Sequence, residues 1–360
     1  MTKTDSDYEL TTLVLSRMTF LTLKEKLFLL NKLDSLYDLV IQSIEDISKN
    51  IHRASKAVWN GKAVLKDAER DRFILQKLGI SKVLYTDNEY PLMLKEISDP
   101  PFMLFYRGNI GILNERTVSV VGTRRMTADS AAACRQFAKD AALDGVTVVS
   151  GLAYGIDRKA HEGALEAADS VSAAGGAESL RDQAGRAIGK TAAVIPAGID
   201  TIVPYAHTKL ASRILDGGGC ILSEYPPGAV AMPYMFVQRN RIIAGLSPAT
   251  VVIQAPVGSG AMLTAEFAMD YGREVIFHQA AFTESSRRIS DFSRRQIENS
   301  VRCGKNEEYK LKNDPELYVR DGAPVIQDYQ DFCRYINDSS ARVPDQKLIQ
   351  AQPELFSCLA

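Results

Sequence analysis

The chain has 360 residues, 46% of them apolar and 24% charged, and a formal net charge of −1. That is the make-up of a globular protein with room for one large domain and a smaller one, and it confines any nucleic-acid surface to a local patch. No apolar run reaches the roughly 18 residues of a membrane span, the N-terminus lacks the apolar core of a signal peptide, and five scattered cysteines without C-x-x-C spacing predict buried thiols in a reducing cytoplasm rather than disulfides or a metal site.

Residues 1–80 read as a helical module of the SAM or helix-hairpin-helix kind. Leu10, Leu13, Val14 and Met18 repeat at helical spacing, as do Leu23, Leu27 and Leu30. A further helix over 63–78 is expected to turn Val64, Leu65, Phe73, Ile74 and Leu78 toward a core and to end at Gly79. Tyr90 to Ile97 predicts a short helix with Pro91 in its first turn, and Asp99 to Gly108 a turn and an apolar strand.

From there strands and helices alternate. Apolar runs at 118–121, 146–150, 192–195, 220–223, 251–254 and 275–277 are separated by helical stretches near 127–143, 157–168, 208–216, 234–245 and 261–271. This rhythm predicts an α/β fold: a doubly wound, Rossmann-like, mostly parallel sheet over 81–335, with ligands held at the carboxyl ends of its strands. An Ala/Gly/Ser-rich stretch at 169–190 and a charged stretch at 281–312 without clean periodicity read as insertions, and 336–360 as an irregular tail.

The motifs fall at those strand ends. In Val118-Ser-Val-Val-Gly-Thr-Arg-Arg125 a strand enters a glycine turn and then a helix. Gly122 would let the backbone approach a ligand, the helix N-terminus would face an anion, and Thr123, Arg124 and Arg125 would hold it, unless the arginines are simply solvated. Ser150-Gly-Leu-Ala-Tyr-Gly-Ile-Asp157 repeats that geometry, with Ser150 and Gly151 at the turn and Asp157 as helix cap. Val148 stands where a nucleophile elbow needs glycine, and His161 is either a general base or a structural histidine. In the loop after the next strand, His207 and Lys209 are candidate ligand contacts. Phe236 and Arg239-Asn-Arg241 precede an apolar segment, where guanidinium groups point to an anionic partner. Ser259 and Gly260 open another helix from a glycine loop that is neither a dinucleotide fingerprint nor a Walker sequence, and Glu266 either complements that helix dipole or serves as a catalytic carboxylate.

In this order the pieces resemble the DprA/Smf family of DNA-processing proteins. The match runs from Tyr90-Pro-x-x-Leu through Val121-Gly-Thr-Arg124, Ser150-Gly-x-Ala-x-Gly-Ile-Asp157, Ala160-His-x-Gly-Ala-Leu165, Ser223-Glu-x-Pro-Pro-Gly228, Arg239-Asn-Arg-Ile-Ile-Ala-Gly-Leu-Ser247 and Ser259-Gly-x-x-x-Thr-Ala265. Three positions depart from it: Val237 replaces a proline, His207 an asparagine, and Gln254 an acidic residue. The resemblance implies a cytoplasmic, non-catalytic homodimer without cofactor that binds single-stranded DNA and loads RecA recombinase during natural transformation. Its site would comprise Gly122, Thr123, Arg124, Arg125, Ser150, Gly151, Lys209, Phe236, Arg239, Asn240, Arg241, Ser259 and Gly260, with Phe236 stacking on a base. The alternative is a nucleotide-binding enzyme of the phosphoribohydrolase type. Against it, the Pro-Gly-Gly-x-Gly-Thr loop is absent and Thr264 stands too close to Glu266.

Overall fold

The chain is described by a computed structural model over residues 5–33, 35–175, 188–305 and 307–338. Its N-terminal helices are α1 (Asp5–Arg17), α2 (Leu23–Lys32), α3 (Leu36–Val40), α4 (Ile44–Asn50) and α5 (Gly61–Leu78). Three of them start at reciprocal capping boxes, Thr22 with Glu25, Ser35 with Asp38 and Ser43 with Asp46, which satisfy backbone donors that a helix start leaves open. Gly79 ends α5 in the left-handed conformation, with φ at 60°.

The buried face of α5 differs in part from the expected one: Val64 and Leu65 pack half-buried against the core as expected. Phe73 and Leu78 are exposed, and Gly61, Ala68, Asp71 and Leu75 face inward. Asp71 is tolerated there because Arg17 of α1 meets it with two hydrogen bonds, Nε to Oδ2 at 2.5 Å and Nη2 to Oδ1 at 2.7 Å. Gly61 is required at the other end, since a Cβ on it would lie 2.1 Å from the Val40 carbonyl oxygen.

The rest of the chain builds one sheet. Its elements are β1 (Ser81–Leu84), α6 (Leu92–Lys95), β2 (Met103–Gly108), β3 (Thr117–Gly122), α7 (Ala128–Leu143), β4 (Thr147–Ser150), α8 (Ile156–Gly175), β5 (Thr191–Val194), α9 (Thr208–Asp216), β6 (Cys220–Ser223), α10 (Pro233–Gly245), β7 (Ala249–Gln254), α11 (Gly260–Asp270), β8 (Glu274–His278), α12 (Glu284–Arg302), α13 (Tyr309–Lys312), α14 (Pro315–Arg320), β9 (Val325–Ile326) and α15 (Tyr329–Asp338). Pro91 is the residue before α6 rather than within its first turn. The strand order is β1-β2-β6-β5-β4-β3-β7-β8-β9, antiparallel at β1–β2 and β2–β6 and parallel elsewhere. From β3 the chain winds outward through β4 and β5 to β6, returns through α10, and places β7 on the other side of β3. The crevice between β3 and β7 is therefore the point where the winding reverses, the place where such sheets bind ligands.

One sheet face carries Val118, Val120 and Val148 beneath α7 and α8. Farther along that face, Met103, Phe105, Ala193 and Ile221 share a cluster with Leu13, Leu29 and Leu39, so the N-terminal helices and the sheet enclose one continuous core. The opposite face carries Val121, Val149, Val194 and Val252 beneath α10 and α11. The charged stretch at 281–312 holds the regular helix α12, amphipathic and packed by its serine and isoleucine side. Of the insertion expected at 169–190, residues 169–175 continue α8 and 176–187 lie outside the described residues; the expected tail at 336–360 lies outside them from 339 onward. No described helix is long and apolar enough to cross a membrane.

Asp71→Ala would remove both short hydrogen bonds to the Arg17 guanidinium, 19% exposed, and leave it only the half-exposed Asp67 at 3.8 Å. Urea or thermal unfolding should show a loss of about 3 kcal/mol, the lower end for breaking a buried pair because Arg17 keeps some water.

Candidate nucleic-acid interface

A cleft of about 500 Å³ opens at the carboxyl ends of β3 and β7, between α10 and the start of α11. Gly122, Thr123, Arg124 and Arg125 form one wall, Phe236, Arg239 and Asn240 of α10 a second, and Pro256, Ser259 and Gly260 a third. Turns more than a hundred residues apart in sequence thus meet around one space, because β3 and β7 are hydrogen-bonded neighbours.

The two arginines of the first turn are the cleft's free cations. Arg124 and Arg125 are exposed and form no ion pair among the described residues, although the charge of Arg124 also acts on Asp157. The Arg124 guanidinium lies 5.3 Å from the centre of the Phe236 ring, a cation–π contact that covers one face of the ring. The turn is tied down locally: the Thr123 amide donates to the Gln254 carbonyl at 2.7 Å and the Arg125 amide to Thr123 Oγ1 at 3.1 Å.

Gly122 lines the cleft, and packing alone already requires a glycine there. A Cβ there would fall 2.5 Å from Ile156 Cγ1 and 2.8 Å from the Gln254 carbonyl oxygen. The N-terminus of α7 is also occupied, with Thr127 Oγ1 accepting from the Ser130 amide and the Thr127 amide donating to Gln254 Oε1 at 2.9 Å. The helix whose start lines the cleft is α11, through Ser259, which accepts from the Ala261 amide, and Gly260.

Arg239 and Arg241 part company. Both lie within α10, and a separation of two residues turns their side chains to nearly opposite sides of a helix. Arg239 is a buried part of the cleft lining, its Nη1 3.9 Å from Oδ2 of Asp157, which lines the cleft as well. Burial lowers its pKa to about 10 against the pull of Asp157, and burial raises that of Asp157 against the pull of Arg239. Arg241 points away from the cleft and is committed to structure. It donates from Nη2 to both Glu224 oxygens, at 2.9 and 2.7 Å, and from Nη1 to the Asp99 carbonyl at 2.8 Å. Glu224 also attracts Lys26 of α2, whose pKa burial lowers to about 8 against that pull.

The other expected contacts distribute as follows. Ser150 is buried and donates to the Val120 carbonyl at 2.7 Å. Gly151 is required by Arg239, whose Nη1 stands 1.4 Å from where a Cβ would be. Neither lines the cleft, nor does Lys209, exposed on α9. Asp157 lies inside α8 rather than capping it, and it accepts from the Ala153 amide at 3.4 Å. Glu266 is exposed outside the lining and accepts from Asn313 at 3.4 Å.

His161 and His207 are buried and structural in their contacts. The Thr191 hydroxyl spends its proton on the Val148 carbonyl, so His161 Nδ1 must donate to Thr191 Oγ1. His207 Nδ1 donates to the Leu152 carbonyl at 2.8 Å. Sequence reasoning missed Ala153, Pro256 and Thr264 of the lining, which carry no charge or aromatic ring to mark them, and Asp157, which it read as a helix cap.

Burial pushes His161 down to about 3 from 6.5, with the charges of His207 and Arg239 in the same direction. Between those values the unfolded chain takes up a proton that the folded chain refuses, so stability falls as pH is lowered through that window. Thermal unfolding from pH 7 to 5 should show a steeper fall for the natural protein than for His161→Gln.

The sequence model of the family described as DNA recombination-mediator protein A matches residues 81–299. The chain is 32% identical to Protein Smf of Borreliella burgdorferi over 289 residues, covering 79% of this chain and 84% of that protein. It is 37% identical to DNA processing protein DprA of Streptococcus pneumoniae over 189 residues, 52% of this chain and 59% of that protein, and 36% identical to Protein Smf of Escherichia coli over 186 residues, 52% of this chain and 44% of that protein. Against such relatives it spans about half their length. The crystal structure of DNA processing protein A from S. pneumoniae superposes with a TM-score of 0.61 at 28% identity, covering 93% of this chain and 98% of that one. The winding of the sheet, the motifs around its crevice and these matches together make the chain a member of the DNA recombination-mediator protein A family, the DprA/Smf proteins.

Proposed function

We propose that the protein holds single-stranded DNA in the β3–β7 cleft without catalysing a reaction on it. The observation that carries this reading is the pairing of exposed cations with an aromatic ring at the cleft: Arg124 and Arg125 form no ion pair among the described residues, and Phe236 lies beside Arg124. Phosphates bind the guanidinium groups whatever the sequence, and a ring accepts any unstacked base, which suits a protein that handles arbitrary strands. A base that stacks on Phe236 must share or displace the Arg124 contact, so phosphate and base binding are coupled through one pair of side chains. Asn240 and Ser259 add polar groups to the walls.

Arg239 has a different part in this reading. Its charge is balanced by Asp157 in the same lining, so it keeps the floor polar and shapes it through Gly151 rather than gripping phosphate at the rim. Family membership supports two further parts: delivery of the held strand to RecA recombinase during natural transformation, and a homodimer that lays one strand along two clefts and gains avidity by doing so.

Fluorescence anisotropy with labelled oligo-dT over a series of salt concentrations separates the two kinds of arginine. Arg124→Ala should weaken binding and flatten the plot of log affinity against log salt by about 0.7 for each phosphate the variant no longer neutralises. Arg241→Gln should leave that slope unchanged while costing about 3 kcal/mol of stability, because it strands the Glu224 carboxylate. An Arg124→Ala protein with the natural slope would remove the cleft from the binding path.

A further inference from the structure

The helix α12 turns two unlike faces to its surroundings. On the inner side Ser286 accepts from Gln254 Nε2 at 3.0 Å, Ser290 Oγ accepts from the Val257 amide at 3.1 Å, and Ile297 lies against Gly258. Pro256, Ser259 and Gly260 of that same loop line the cleft. One turn of chain therefore separates α12 from the proposed DNA site.

On the outer side Arg288, Phe292, Arg295, Asn299 and Arg302 follow one another at steps of four, three, four and three, which places them on one helical face. All are exposed, Phe292 by 63%. Among the described residues Arg288 pairs with the exposed Glu284 one turn earlier, too open to water to hold it fast. Arg295 and Arg302 have no acidic partner among the described residues, although Asp291 and Glu298 flank the stripe. A single exposed phenylalanine is ordinary; here cations stand one turn before it and one turn after it.

We propose that this face is a second holding surface for the same single strand, taking the part that leaves the cleft past the Pro256–Gly260 loop. The arginine stripe spans about 20 Å at the helical rise, enough for several nucleotides of extended strand. Phosphates meet Arg288, Arg295 and Arg302, and a base stacks on Phe292. The aromatic ring selects the occupant: a duplex offers phosphates to the arginines but keeps its bases stacked and unavailable. The inference rests on the cleft reading above for the route of the strand.

The test is anisotropy of the full chain with oligo-dT of about 6 and about 30 nucleotides, short enough to fill the cleft alone or long enough to reach α12. Phe292→Ala and the double variant Arg295→Gln with Arg302→Gln should each weaken binding of the long strand about tenfold or more and leave the short one unchanged. The double variant should also flatten the salt slope for the long strand by about 0.7 for each arginine. Phe292→Tyr, which keeps the stacking surface, should bind as the natural protein does. Long-strand binding unchanged in these variants, while Arg124→Ala loses it, overturns this inference alone. Loss in the α12 variants with Arg124→Ala unaffected overturns the cleft reading and leaves the α12 surface standing. A natural protein that binds neither oligonucleotide overturns both. A loss confined to duplex DNA, or a drop in oligomeric mass by light scattering in the Phe292→Ala protein, assigns the face to another occupant and overturns the proposal.

Discussion

A guanidinium taken out of water has to be met by a carboxylate, and α10 buries two of them only two residues apart. The helix sends Arg239 toward Asp157 at the start of α8 and Arg241 toward Glu224 after β6 and Asp99 before β2. These opposed demands fix the helix in rotation between both halves of the sheet. They also decide the charge of the crevice. Two of the four arginines in the motifs are neutralised within the fold, and what remains for an anion is Arg124 and Arg125 on the turn after β3.

The same logic connects the cleft to the N-terminal helices. Glu224 interacts with both the Arg241 guanidinium and the charge of Lys26, and the Lys26 ammonium stands 5.5 Å from the Phe102 ring. The α2 helix thus contributes a charge to the network that anchors α10 from the side away from the cleft. With one apolar cluster running from Leu13 to Phe105 and Ile221, the helical region and the sheet are coupled both by apolar packing and by this electrostatic contact.

Gln254 shows how a departure from the family pattern is absorbed. Its side-chain oxygen accepts from Thr127, as a carboxylate there would, but its amide nitrogen donates to Ser286 of α12. A carboxylate has no proton to give at neutral pH, so the amide and the packed α12 helix suit each other. The stretch that looks like a charged interruption in the sequence is joined to the end of β7 through this residue and to the glycine loop through Ser290.

The alternation of strands and helices, and therefore the parallel sheet, is legible in the sequence because β-rich runs such as Val118 to Val121 and Val251 to Gln254 are buried on both faces and read as continuous apolar segments. Local chemistry also marks the left-handed end of α5 at Gly79 and brings forward by their type Arg124, Phe236 and Arg239, which line the cleft. Tertiary structure alone decided which charges are spent. Arg17 finds Asp71 across 54 residues, and Arg241 finds Asp99 across 142. A side chain's residue type gives its charge, but whether that charge faces a partner or a ligand depends on helix rotation and strand order, which only the packed core imposes.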